Sequence, residues 1–222
     1  MIDTKKFKQL LKTTWEPLLR QHGFTGSNGN YRTKVNDHFI YVVNIQGDRY
    51  GGLCCVNLGV YIDFIPNTLG KHLPLNKVSV VDCEFRTRLS DVELEDAWWS
   101  YGDTETEAME SIEHMTETFV QHGLAYFAQF QEFPKPFIGM SFKNVEQRTD
   151  KVRKLGNSPT DVRLALVIAR VQLYIGQTEQ ATAWSQWALD QIGTGFAGRA
   201  LIGEFEQIIQ KAQGHSGITL EP

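Results

Sequence analysis

The sequence predicts an α+β fold: a four-stranded antiparallel meander packed by an N-terminal helix and a long helix, followed by a C-terminal three-helix appendage. Three observations predict it. Apolar residues recur at spacings of three and four near the amino terminus and again from residue 104 onward. Between these stretches lie four runs rich in β-branched and aromatic residues, separated by Asn, Asp, Gly or Pro. From Pro159 the composition becomes plain helix broken only by glycines.

In the first helix Phe7, Leu10, Leu11, Trp15, Leu18 and Leu19 make an apolar face, while Lys5, Lys8 and Lys12 occupy the other side and Gly23 ends it. Pro17 removes the backbone donor that would reach Thr13, which predicts a kink or a fresh helical start there. After the turn-rich residues 23–30, strands are expected over 31–35, 38–46, 53–63 and 78–89. Cys54, Val56, Leu58, Val60 and Ile62 share one face of the third. In the fourth, Val81, Cys83, Phe85, Thr87 and Leu89 oppose Asp82, Glu84, Arg86 and Arg88. The long helix opens with the capping-box spelling Thr104 to Glu107 and turns Ala108, Ile112, Met115, Phe119, Tyr126 and Phe130 toward the sheet.

Pro134 and Pro136 stop regular structure, which divides the chain into a sheet domain over 1–133, a connector over 134–158, an appendage over 159–213 and a tail over 214–222. The appendage reads as helices at 159–175, 178–192 and 196–212. Its middle, residues 173–191, is similar to a tetratricopeptide repeat, with Gly176, Ala181 and Ala188 at the small-residue positions. One such repeat cannot build a solenoid, so a helical hairpin is the expected form.

Charge is unevenly placed. The chain carries −4, whereas residues 90–117 contain ten carboxylates and no Lys or Arg, which leaves about +6 for everything else. Trp98, Trp99 and Tyr101 sit inside that window. Acid beside aromatic rings suits a basic protein partner, and it repels nucleic acid and anionic membranes. The candidate partner-binding residues are therefore Glu93, Glu95, Asp96, Trp98, Trp99, Tyr101, Asp103 and Glu105. The plainer account, a solvated acidic helix face, stands beside it. Adjacent tryptophans cannot both face one core comfortably, which favours the partner.

The charged amino terminus has no apolar core of the kind a signal peptide needs, so a cytoplasmic protein is expected. Cys54, Cys55 and Cys83 make an odd number and imply no disulfide framework. No cofactor or metal is expected. Glu110, His114 and Glu117 share a helical face, but Ser111 occupies the position where a Glu-x-x-His carboxylate would stand. The glycines of residues 193–198 spell GxGxxG after a helix rather than a strand, which reads as a turn. No catalytic signature occurs and the six histidines are scattered, so an enzyme is not the first expectation. The alternative is a small-ligand protein or enzyme with a pocket on the sheet face, where Asn44, Gln46, Asn57 and Arg86 interrupt apolar strands and Gly59 would leave room. Hydrogen bonds within the sheet's wetter face explain the same residues.

The succession Gly23-Phe24, Asn30 to Arg32, Val42 to Gln46, Val56 to Ile62, Asp82 to Leu89 and Trp98-Trp99 resembles the bacterial domain of unknown function family 4304 over about residues 5–130. The helical tail lies outside the resemblance. It implies a small cytoplasmic α+β protein with no assigned catalytic residues. Because some members are thought to be encoded near secreted toxins, it also implies a candidate immunity protein that neutralises a basic toxin.

Overall fold

The computed structural model describes residues 2–67, 70–92, 97–156, 159–193 and 197–215. The chain divides into two compact units, residues 1–133 with 155–158, and residues 134–154 with 159–222. Among the described residues, no helix is long and apolar enough to cross a membrane.

In the first unit, helix α1 (Thr4–Gln21) starts at Asp3, whose carboxylate accepts the Lys6 N–H at 2.8 Å. No fresh start occurs at Pro17, because a single helix runs through it. Buried Leu11, Trp15 and Leu19 lie on both sides of the proline. Their packing outweighs the roughly 3 kcal/mol that an interior proline costs relative to alanine.

The sheet is antiparallel and, among the described residues, has six strands rather than four. Strands β1 (Thr25–Ser27) and β2 (Asn30–Arg32) form a hairpin closed by Asn28 and Gly29 at φ of 55° and 77°. Those positive φ values are what a two-residue hairpin turn demands, and Asn-Gly supplies them. Next come β3 (Phe39–Gly47), β4 (Leu53–Ile62) and β5 (Phe85–Arg88), in the order β1-β2-β3-β4-β5, while β6 (Trp99–Ser100) also pairs with β4.

Only the end of the expected strand over 78–89 is extended. Val80–Asp82 is a helical turn, because Asp82 Oδ2 accepts both Ser79 N–H at 3.0 Å and Ser79 Oγ at 2.6 Å and locks the chain into a cap. The segment then lays Val78 and Cys83 over Ile40, Val42 and Tyr61, covering part of one sheet face.

Helices cover the other face. Helix α2 (Glu105–Thr118) is capped by Thr104, whose hydroxyl accepts Glu107 N–H at 3.2 Å. It widens into a π-turn over Phe119–Gly123 and continues as α3 (Leu124–Ala128). A Cβ on Gly123 would stand 2.6 Å from the Phe119 ring, so glycine is what lets the wide turn close around that ring. The six residues expected to face the sheet, Ala108 to Phe130, are all buried. Phe130 packs on Phe39 and Phe85 with centroids at 5.6 and 5.4 Å, and Phe127 stacks on Tyr41 at 4.8 Å.

The second unit is helical: α4 (Phe142–Glu146), α5 (Asp150–Arg153), α6 (Asp161–Tyr174), α7 (Thr178–Ile192) and α8 (Ile202–His215). Phe142 meets Trp184 edge-on at 4.5 Å and stacks on Trp187 at 5.5 Å, whose indole donates to Glu146 at 3.2 Å. Gly193 ends α7 at φ 45°, and residues 194–196 of the GxGxxG spelling lie outside the described residues.

Candidate functional site

Among the described residues, the acidic aromatic segment does not form one surface. Glu93, Glu95 and Asp96 lie outside the described residues. Trp99 pairs with Cys54 across β6 and β4, is 4% exposed, and donates its indole N–H to His114 Nδ1 at 3.2 Å. Tyr101 is 3% exposed and stacks on Phe7 at 4.0 Å. Both rings are core, and neither offers a partner any area. Trp98 points the opposite way, as successive residues of an extended chain must. It is 40% exposed and carries the Arg88 guanidinium 5.2 Å above its ring. Asp103 and Glu105 are exposed, and Glu105 is paired with Lys6 at 2.7 Å.

Unsatisfied negative charge gathers instead along the outer side of α2. That helix holds Glu105, Glu107, Glu110, Glu113 and Glu117 and no Lys or Arg. Glu107 Oε2 accepts the Asp103 N–H at 2.7 Å. Glu110, Glu113 and Glu117, at spacings of three, four and seven, stand on one exposed stripe, and among the described residues they make no ion pair. Val120, exposed, follows directly. The helical spacing of these three glutamates was readable, but it points equally to a ligand set and to a docking face. His114 lies on the same helical face, between Glu110 and Glu117, and is held between Trp99 and Asp91, whose Oδ2 is 3.4 Å from Nε2.

The residues proposed for a sheet-face pocket form a ladder. Register places Asn30 opposite Asn44 and Asn44 opposite Asn57. Asn57 Nδ2 donates to Asn44 Oδ1 and Gln46 Oε1, both at 3.1 Å, and Asn44 Nδ2 donates to Asn30 Oδ1 at 2.9 Å. Arg86 lies opposite Gly59. Gly59 leaves no room for a ligand: a Cβ there would meet Cys83 Sγ at 2.8 Å and Val80 at 3.2 Å, so the space belongs to those side chains.

A groove of about 330 Å³ opens on the helix-covered face of the sheet, and none of Asn44, Gln46, Asn57 and Arg86 lines it. Helix α1 contributes Phe7, Lys8, Leu11, Lys12 and Glu16, and the strands contribute Tyr31, Ile45 and Cys54, with Tyr101 beside them. At one end Tyr31 donates to Glu16 Oε1 at 3.0 Å, and Arg20 stands 3.7 Å from the same carboxylate. Burial and then that hydrogen bond push the Tyr31 phenol up to about 12. Burial, with Cys55 alongside, pushes the Cys54 thiol up to about 12, so it is protonated at neutral pH and is no nucleophile. No linear signal announces this groove, because its walls come from five separate segments.

The profile of the family described as Domain of unknown function (DUF4304) matches residues 15–129, which is 115 of the 222 residues and runs from Trp15 in α1 to just past α3. The helices of the second unit lie outside the match. No curated protein and no solved structure matches the chain.

Proposed function

We propose that this chain, which belongs to the DUF4304 family, is a non-enzymatic binding protein that docks a basic protein partner on the outer face of α2. The partner class is a basic bacterial toxin, and the role is immunity by occlusion. One observation carries the reading: Glu110, Glu113 and Glu117 form an exposed stripe on a helix with no Lys or Arg, and no described cation neutralises it. Exposed Val120 extends the stripe with an apolar anchor.

Such a stripe steers a cationic protein toward the helix and then covers its basic cleft, while nucleic acid and anionic lipid are repelled. Carboxylates at contact distance from lysines and arginines of the partner raise the association rate more than they slow dissociation. The test is the triple change Glu110→Lys, Glu113→Lys and Glu117→Lys, assayed for capture of a basic bacterial toxin domain. Association should slow by about tenfold or more at low salt, with the difference shrinking as salt rises. Unchanged capture and unchanged protection of toxin-exposed cells would remove this face from consideration.

A further inference from the structure

His114 joins a buried ring to an exposed charge. Its Nδ1 accepts the Trp99 indole N–H at 3.2 Å, and Trp99 is buried, so little of that ring meets solvent. The imidazole itself is open, with 55% of its side chain exposed, and its Nε2 stands 3.4 Å from Asp91 Oδ2. A proton from solvent can therefore reach the imidazole while the indole it holds stays inside.

Imidazole ordinarily changes charge between pH 5 and 8, and only its neutral form has an accepting nitrogen. Once it is protonated both nitrogens donate, so no rotation of the ring returns an acceptor to the indole. The charged groups around His114 favour that cation: Asp91 from the loop after β5, Glu110 and Glu117 one turn away on α2, and Glu113 beside them. Strand β6 adds Trp99 and Ser100 and no charge. Helix α1 meets another flank of α2, where Lys6 pairs with Glu105 and Thr14 bonds Met109. Those positions lie about 140–180° around the helix from His114. The Arg88 guanidinium sits over Trp98, which points to the other side of the sheet. Indole and carboxylates thus make opposed demands on one ring.

We infer that His114 is an acid-sensitive latch: its protonation gives up the Trp99 indole, loosens β6 from α2 and turns the imidazolium to Asp91. The same proton places a positive charge between Glu110 and Glu117, so acid also weakens the negative stripe. That second consequence bears on docking and rests on the role proposed for α2, whereas the latch itself does not.

Nitrogen-15 resonances of the full chain report the imidazole and the Trp99 indole together. At pH 8 the imidazole should carry its proton on Nε2, and the indole resonance should follow the imidazole titration from pH 8 to pH 5. His114→Gln supplies an acceptor that stays neutral throughout. At pH 5 the Trp99 indole hydrogen of the parent should exchange with solvent about tenfold faster than that of His114→Gln, the scale of one lost hydrogen bond, whereas at pH 8 the two should agree. An indole resonance indifferent to pH, a proton on Nδ1 at pH 8, or equal exchange at pH 5 would each overturn the latch. Calorimetric titration with deca-lysine reads the α2 face separately. Binding should be about threefold weaker at pH 5 than at pH 8, with the difference reduced in His114→Gln. Equal binding at both values would overturn the second consequence. No binding at either pH beside an intact indole titration would count against docking and for the latch alone.

Discussion

Trp99 donates its indole N–H to Nδ1 of His114 at 3.2 Å, which ties the short strand β6 to helix α2. An accepting Nδ1 leaves the imidazole proton on Nε2, the nitrogen that stands 3.4 Å from Asp91. One histidine thereby sets the side to which Trp99 is drawn, and Trp98 is left on the other.

Replacing His114 by Leu should strand a buried indole donor and destabilise the protein by about 1–3 kcal/mol. His114→Gln keeps an acceptor and should lose less. Urea denaturation measures both, and equal stability of the Leu variant and the parent would show that the indole bond adds nothing.

Gly59→Ala should overpack the sheet where Cys83 Sγ would lie 2.8 Å from the new methyl, at a cost of about 1–3 kcal/mol. Adding Cys83→Ala removes the nearer obstacle, so the double variant should be more stable than the sum of the two single changes predicts. Strict additivity would mean that the sheet relaxes without involving Cys83.

Burial, followed by the hydrogen bond to Glu16, raises the Tyr31 phenol from 10.0 to about 12. The folded state thus favours the protonated form. Its contribution is fully present below about pH 10, declines as the unfolded phenol ionises, and is lost as pH passes about 12. Tyr31→Phe should flatten the fall in stability between those values. Denaturation midpoints followed across that range measure it, and parallel curves for parent and variant would contradict the assignment. Other tyrosines, Tyr41, Tyr61, Tyr101 and Tyr126, are raised chiefly by burial, so the parent's alkaline decline is shared among them.

Local pattern was enough for much of the fold. The 3.6-residue period marked the buried faces of α1 and α2, and runs of β-branched and aromatic residues marked β3 and β4, which are buried on both faces over much of their length. The Asn28-Gly29 turn signal was also present. What it closes is a pair of three-residue strands, too short for alternation to register. Over 78–89 β-propensity suggested one strand, and the Ser79 to Asp82 cap overrode it for the first half.

The candidate sites divide in the same way. The chain by itself determined that acid is concentrated in residues 90–117 and that Trp98 and Trp99 must part company. Only the tertiary structure decided which indole is buried, that Tyr101 stacks inside on Phe7, that Cys83 fills the space beside Gly59, and that Lys8 and Lys12 overhang a groove. The physical reason is reach. Periodicity reports how a segment faces its own neighbours, whereas burial, clefts and unanswered charge arise from residues far apart in the chain, whose distances are set only when the helices close over the sheet.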